Sequence, residues 1–208
     1  MIDFGELCLL RNSISRQGPN AGFLIISKHQ VRRQLMIERT LRPHLEKAAQ
    51  KYPVVAVLGP RQSGKSTLVR ATFPQKKYVN LENLQIRDYA TSDPLGFINE
   101  YSSGVIIDEA QKVPALFSYL QLHVDENKQP GEFILTGSQN FMLLESITQS
   151  LAGRISLFQL LPLSLEELVN GGYSANDLNE ALFYGGYPRI FKDNLEPSDW
   201  LDNYIQTY

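Results

Sequence analysis

The sequence predicts an α/β fold in three layers: a central, mostly parallel five-stranded sheet between helices, followed by a small helical appendage. Three observations carry this reading. Apolar strand-like runs alternate with helical patterns from residue 54 to residue 160. The first run, Val54-Val55-Ala56-Val57-Leu58, is β-branched and does not alternate, as suits a parallel strand buried on both faces. The chain has 208 residues, 43% of them hydrophobic, which is enough for the core of one medium domain.

The elements follow in order. Leu41, Leu45, Ala48 and Ala49 fall near helical spacing between charges, predicting an amphipathic helix over about 37–51 that Pro53 stops. After the first strand, Ser66 to about Thr72 reads as a helix, and 77–81 as a second strand. Helical patterns at 84–91 and 94–101 precede a third strand, Val105-Ile106-Ile107, opened by Gly104. Pro114 suits a helix start, continued by Leu116, Leu120, His123 and Val124. Pro130-Gly131 is a turn before the fourth strand, Phe133–Thr136. Asn140–Ala152 reads as a helix stopped by Gly153, and Ile155–Leu160 as the fifth strand. Beyond Pro162 the pattern turns helical. Ser164 and Glu167 have capping-box spacing, a second helix spans about 176–184, and Asp199–Tyr208 begins another. The Tyr184-Gly185-Gly186-Tyr187-Pro188-Arg189 stretch reads, on composition, as a hinge.

Three regions emerge: a poorly ordered basic extension over 1–35, an α/β core over 36–162, and a helical appendage over 163–208. The appendage reads as the start of a C-terminal domain whose continuation is missing. Residues 1–35 hold five basic side chains (Arg11, Arg16, Lys28, Arg32, Arg33) against two acidic ones (Asp3, Glu6), so the remainder of this chain of formal charge −2 is acidic. That balance excludes a polyanion-binding block over the whole chain and leaves open a basic arm at the start. No apolar run approaches the ~20 residues of a membrane span. The lone Cys8 excludes an internal disulfide, and scattered His29, His44 and His123 read as surface or packing residues.

The chemistry concentrates in Gly59-Pro60-Arg61-Gln62-Ser63-Gly64-Lys65-Ser66, which fits the phosphate-binding loop G-x-x-x-x-G-K-[ST] and lies between a buried strand and a helix. The glycines let the backbone wrap a phosphate with its amides inward, and the helix N-terminus adds about half a positive charge. Lys65 is expected to bridge β- and γ-phosphate oxygens and Ser66 to place its hydroxyl on Mg²⁺. Thr67, the next helix residue, is grouped with the loop as a nucleotide-binding candidate but reads as packing rather than ligating, and Arg61 points either to phosphate or to solvent.

The third strand ends in Asp108-Glu109. An acid at the carboxyl end of a neighbouring parallel strand faces the same crevice as the loop. Asp108 is the expected Mg²⁺ partner, mostly through water, and Glu109 the carboxylate that takes a proton from the attacking water. At the end of the fourth strand, Ser138 is the first candidate to touch the γ-phosphate or that water, with Thr136 and Gln139 next; the same residues also read as a polar turn capping a helix. Arg154 reads either as a stabiliser of developing phosphate charge, for its own or a neighbouring subunit, or as a partner of its helix dipole. Glu82 is a weaker candidate for the crevice. Phe141, Tyr184, Tyr187, Trp200 and Tyr204 read as core rather than as stacking platforms.

With these motifs in place, the chain resembles prokaryotic AAA-type ATPases that carry a C-terminal domain of unknown function. The segments GPRQSGKS, GVIIDEAQKVP, FILTGSQN, SLAGRISLFQLLPLS and YGGYPR carry the likeness, which covers about residues 36–208. The resemblance implies a P-loop NTPase core of the AAA+, additional-strand type, with ATP and Mg²⁺ as cofactors. It implies Asp108 on the metal, Glu109 as catalytic carboxylate and Ser138 in the sensor position. A cytoplasmic, Mg²⁺-dependent ATPase acting as a conformational switch is the expected function. A protein client, self-association and, by family analogy alone, nucleic acid are the expected partner classes. The alternative is a nucleotide-binding interaction module with negligible hydrolysis. A GTPase or small-molecule kinase ranks lower: Asn127-Lys128-Gln129-Pro130 fails the guanine signature at its last position.

Overall fold

The computed structural model describes residues 36–138, 147, 149–173, 175 and 177–207. The basic extension, Gln139, Phe141, Tyr208 and most of the helix expected from Asn140 lie outside the described residues. Among those described, the order is α1 (Arg42–Ala49), β1 (Val54–Gly59), α2 (Lys65–Thr72), β2 (Lys77–Asn80), α3 (Leu84–Ser92), α4 (Pro94–Glu100) and β3 (Val105–Asp108). A 3₁₀ turn, Ala110–Lys112, leads to α5 (Leu116–Asn127), β4 (Phe133–Ser138) and β5 (Ile155–Gln159). Four short helices follow: α6 (Leu165–Asn170), α7 (Leu178–Tyr184), α8 (Pro188–Asp193) and α9 (Pro197–Thr207).

The five strands form one sheet in the order β2-β3-β4-β1-β5, and every pairing is parallel. Strand β4 therefore lies between the strand that feeds the glycine-rich loop and the strand that ends in Asp108. This is the additional-strand arrangement that the resemblance implied.

Alternation along the strands builds the three layers. Val54, Ala56 and Leu58 of β1 face one way, with Phe133 and Leu135 of β4 and Val105 and Ile107 of β3. They pack against Ala90 of α3, Phe97 and Ile98 of α4, and Phe117, Leu120 and Val124 of α5. Val55 and Val57 face the other way with Ile106 and Ile134, against Leu45 and Ala48 of α1 and Leu68, Val69 and Phe73 around α2. Strand β1 is buried at all six positions because both faces are covered, which is why its run is apolar without alternation.

Differences from the expected elements lie at their ends and in the appendage. Helix α1 begins only at Arg42, with Pro43 in its first turn, since a proline without an N–H is tolerated there. Helix α6 carries the expected capping box: the Glu167 N–H donates to Ser164 Oγ, and the Ser164 N–H to Glu167 Oε2. Helix α8 was not foreseen. The expected hinge is instead a docked turn, in which the Leu163 N–H donates to the Gly186 carbonyl at 2.6 Å. A Cβ at Gly186 would sit 2.2 Å from the Leu163 carbonyl oxygen, so only glycine admits that approach.

Candidate functional site

The site forms where the carboxyl ends of β1, β3 and β4 meet. Gly59 stands in register with Ser138, and Ile107 with Leu135, so Asp108 emerges beside Thr136. Between Gly59 and α2 the chain makes its loop with two left-handed residues, Gln62 (φ 61°) and Gly64 (φ 96°), the second being the N-cap of α2. Such turns aim successive amides into one concavity suited to anions.

Lys65 opens α2 and is only 5% exposed. Its ammonium folds back over the loop, donating to the Pro60 carbonyl at 2.7 Å and to the Gly59 carbonyl at 3.1 Å. Burial lowers its pKa, against the raising effect of the Glu109 and Asp108 carboxylates. Ser66 is half-buried at the start of α2, whereas Arg61, Gln62 and Thr67 are exposed. Ser63 is fully buried and its hydroxyl has no protein partner.

Asp108 is buried, and its carboxylate is tied on both sides. Tyr78 of β2 donates to Oδ2 at 2.5 Å, and Thr136 of β4 donates to Oδ1. Burial, and then the bond to Asp108, pushes the Tyr78 phenol up to about 12. Glu109 leaves the strand in the left-handed conformation (φ 58°), a cost of roughly 1–2 kcal/mol for a residue with a Cβ. Its Oε2 accepts from the Gln111 side-chain amide at 2.5 Å. Ser138 Oγ and Gln111 Oε1 are buried without a protein partner. The crevice thus holds unsatisfied polar atoms where a polar ligand would supply partners.

The donor set bears on a metal in one direction. Among the described residues no group of three or more His, Cys, Asp or Glu side chains could hold a metal ion by itself. Mg²⁺ is characteristically held by one or two protein oxygens together with substrate phosphates. Ser66 and Asp108 fit that pattern as partners of a phosphate-borne Mg²⁺.

One expected residue lies elsewhere. Arg154 precedes β5, and its carbonyl accepts from the Val54 N–H at the amino-terminal edge of the sheet. The loop is at the opposite edge, about 17 Å away along a strand rising ~3.3 Å per residue. The Arg154 fork instead holds Asp125 of α5 (Nε–Oδ1 2.5 Å, Nη2–Oδ2 2.8 Å) and the Ala152 carbonyl at 3.0 Å. Arg154 is thus no part of the crevice of its own chain. Glu82 is exposed and lies 3.9 Å from Lys112.

A mostly apolar cavity of about 370 Å³ adjoins the loop, lined by Ile37, Arg39, Gly64, Thr67, Leu163 and Pro188 among others. Its size is that of a small-molecule pocket. Tyr187, Trp200 and Tyr204 pack ring to ring at 4.7–5.1 Å, and the Tyr204 hydroxyl donates to the Arg61 carbonyl at 3.3 Å. The appendage therefore reaches the loop itself.

The family model described as AAA domain matches residues 51–169, which contain the loop and all three strand ends. The chain belongs to this family. It is an ATP-binding AAA-type domain. Two mycobacterial proteins, one of Mycobacterium tuberculosis and one of Mycobacterium bovis, both named as uncharacterized, are each 33% identical over 184 residues, 84% of this chain and 39% of the relative. The AAA domain chain thus spans well under half the length of these curated relatives. Among solved structures, a Walker-type ATPase of Pyrococcus abyssi superposes with a TM-score of 0.54 at 18% identity, covering 81% of this chain and 68% of that one. That likeness concerns the fold. No helix among the described residues of the AAA domain is long and apolar enough to cross a membrane.

Tyr78, Gln111 and Arg39 escaped the sequence reading. Tyr78 could have been suspected, because it stands in register with Ile106, two residues before Asp108. Nothing in the local pattern singles out Gln111.

Proposed function

We propose that this AAA domain binds Mg–ATP and hydrolyses it to ADP and phosphate, using the step as a conformational switch. The observation that carries the reading is the convergence of Lys65, Ser66, Asp108, Glu109 and Ser138 on one edge of the sheet, from three neighbouring strands and one helix start. In this reading Lys65 exchanges two loop carbonyls for β- and γ-phosphate oxygens. The amides of 60–66 cradle the phosphates, and Ser138 donates its unpartnered hydroxyl to the γ-phosphate or the attacking water. Glu109 accepts the proton of that water. Ser66 and Asp108 would hold Mg²⁺, which neutralises charge on the triphosphate when bound. Positioning and charge stabilisation supply most of the catalysis in such sites. The nucleobase is assigned to the apolar cavity beside Gly64 and Thr67. Helices α6–α9 are the part that a protein client or further copies of the chain would sense. The cytoplasm, where ATP is available, is the compartment we assign.

The bond from Gln111 to Glu109 favours a second reading, a module that binds ATP and hardly hydrolyses it, because it keeps the Glu109 carboxylate engaged. Phosphate release and ATP uptake by wild type and Glu109→Gln separate the two. A hydrolase loses turnover by roughly a hundredfold or more while retaining ATP. A module shows equal, negligible release from both.

A further inference from the structure

Beneath the phosphate loop lies a buried polar cluster whose bonds the proposed chemistry does not use, although its Arg39 also lines the cavity assigned to the nucleobase. Arg39, three residues before α1 and outside the residues matched by the family model, is 8% exposed. Its guanidinium donates in three directions: from Nη1 to the Ser63 carbonyl at 2.8 Å, from Nε to Glu167 at 3.1 Å, and from Nη2 to the Leu161 carbonyl at 2.7 Å. These partners belong to the phosphate loop, to α6 of the appendage and to the connector after β5. Glu167 is 3% exposed and fully committed: Oε1 also accepts from the Thr40 N–H and hydroxyl, and Oε2 from the Ser164 N–H.

A buried ion pair of this kind is a poor stabiliser, since well-packed apolar side chains of similar volume often do as well or better. What it supplies is geometry. A trans peptide directs its C=O and the following N–H to opposite sides, and the described residues contain no cis bond. Gripping the Ser63 carbonyl therefore turns the Gly64 N–H away from the guanidinium. Gly64 is also the N-cap of α2, and a Cβ there would lie 3.5 Å from Arg39 Nη1 and 3.8 Å from Pro188 Cγ. The loop is thus backed by Arg39 and by the appendage at the same point.

We propose that Arg39, held by Glu167, is a positioning residue that sets the 63–64 peptide of the phosphate loop for anion binding and links loop occupancy to helix α6. The proposal rests on the nucleotide reading above. Linkage makes the effect reciprocal: if docking of α6 tightens the cradle, phosphate in the cradle tightens α6. Arg39→Lys keeps the charge opposite Glu167 but loses the planar fork that reaches Ser63 and Leu161 together.

The test measures binding of Mg–ATP and tripolyphosphate to wild type and to Arg39→Lys by calorimetry, with a thermal melt of each. The expected result is a folded variant whose affinity for tripolyphosphate, which has no base to enter the cavity that Arg39 also lines, falls by roughly tenfold, and whose affinity for ATP falls at least as far. Unchanged affinities in a folded variant, with only a lowered melting temperature, would overturn the proposal and leave the nucleotide reading standing. Failure of wild type to bind either ATP or tripolyphosphate would overturn both. Hydrogen exchange on wild type gives an answer that does not depend on the variant folding. Saturating Mg–ATP is expected to slow exchange of the Thr40 and Ser164 amides, both of which end on Glu167. No slowing on a nucleotide-loaded chain would refute the link.

Discussion

Lys65→Met separates stability from binding at the loop, because opposing contributions nearly cancel in the first and not in the second. The ammonium is nearly buried, and its lowered pKa means that the charged form is less favourable in the folded chain than in water. Methionine keeps the stem, removes the charge and satisfies no polar need. The Pro60 carbonyl it releases is part-buried and the Gly59 carbonyl is buried, so the relief of burying a charge is offset by acceptors left without a partner. The melting temperature of the nucleotide-free protein is therefore expected to stay nearly level. Binding does not. The ammonium makes two bonds to carbonyls and would exchange them for charge-assisted bonds to phosphate, a net difference of about 1.5–3 kcal/mol. At 1.4 kcal/mol per decade this is roughly a ten- to hundredfold loss of Mg–ATP affinity. Differential scanning calorimetry without nucleotide and titration calorimetry with Mg–ATP at fixed salt read the two effects. A lower melting temperature combined with ATP affinity within twofold of wild type would refute the reasoning, because Lys65 would then be a structural lysine.

Four further predictions test the surrounding geometry. Gly59→Ala drives a Cβ to 2.1 Å from the Leu160 carbonyl oxygen, so the β1–β5 edge must shift; a loss of about 1–3 kcal/mol, seen as a drop of roughly 2–12 °C in melting temperature, is expected. Gly153→Ala, which meets nothing within 4 Å but sits at φ +76°, should lose only about 1–2 kcal/mol. Asp108→Asn should bring the Tyr78 phenol down from about 12 towards 10, measured as an alkaline absorbance titration with Tyr78→Phe identifying the group; a titration unchanged by Asp108→Asn would contradict the bond between them. Burial pushes the Glu167 carboxyl up, but the Ser164 and Thr40 donors and Arg39 outweigh it and leave its pKa below the usual 4.5. A depressed folded pKa contributes stability above the unfolded value, lost as pH falls through the folded one. Wild type should therefore lose melting temperature below about pH 4.5 more steeply than Glu167→Gln, and parallel acid profiles would refute the assignment.

The sheet was legible because its signals are local. Val54–Leu58, Val105–Ile107 and 133–135 are apolar without alternation, because burial on both faces disfavours polar residues there. The loop was legible for the same reason, since the residues of 59–66 that wrap an anion are contiguous. Strand order was not written in any local pattern and came only from the resemblance. Helix α8 was missed because it is six residues long and follows two glycines, where composition suggests a break and only the docking onto Leu163 makes a helix worthwhile.

Arg154 and Arg39 fail in instructive and opposite ways. The placement of Arg154 beside the nucleotide rests on its position at the carboxyl end of a helix expected beside the crevice. Yet a residue that immediately precedes a strand parallel to β1 must lie at the amino-terminal edge of the sheet, and the loop must lie at the other. Strand polarity alone would have excluded it from its own crevice, and the fork on Asp125 is what an arginine at that edge finds. Arg39 could not have been found by any such rule. Its partners are 24 positions away at Ser63, 122 at Leu161 and 128 at Glu167, and each local context is unremarkable: a residue before a helix, a loop carbonyl, the third residue of a capping box. Glu167 was legible as a cap, and capping does engage one of its carboxylate oxygens. The other oxygen holds Arg39, and it is this second bond that carries the appendage to the loop. A local motif can be read correctly and still account for only half of what its side chain does.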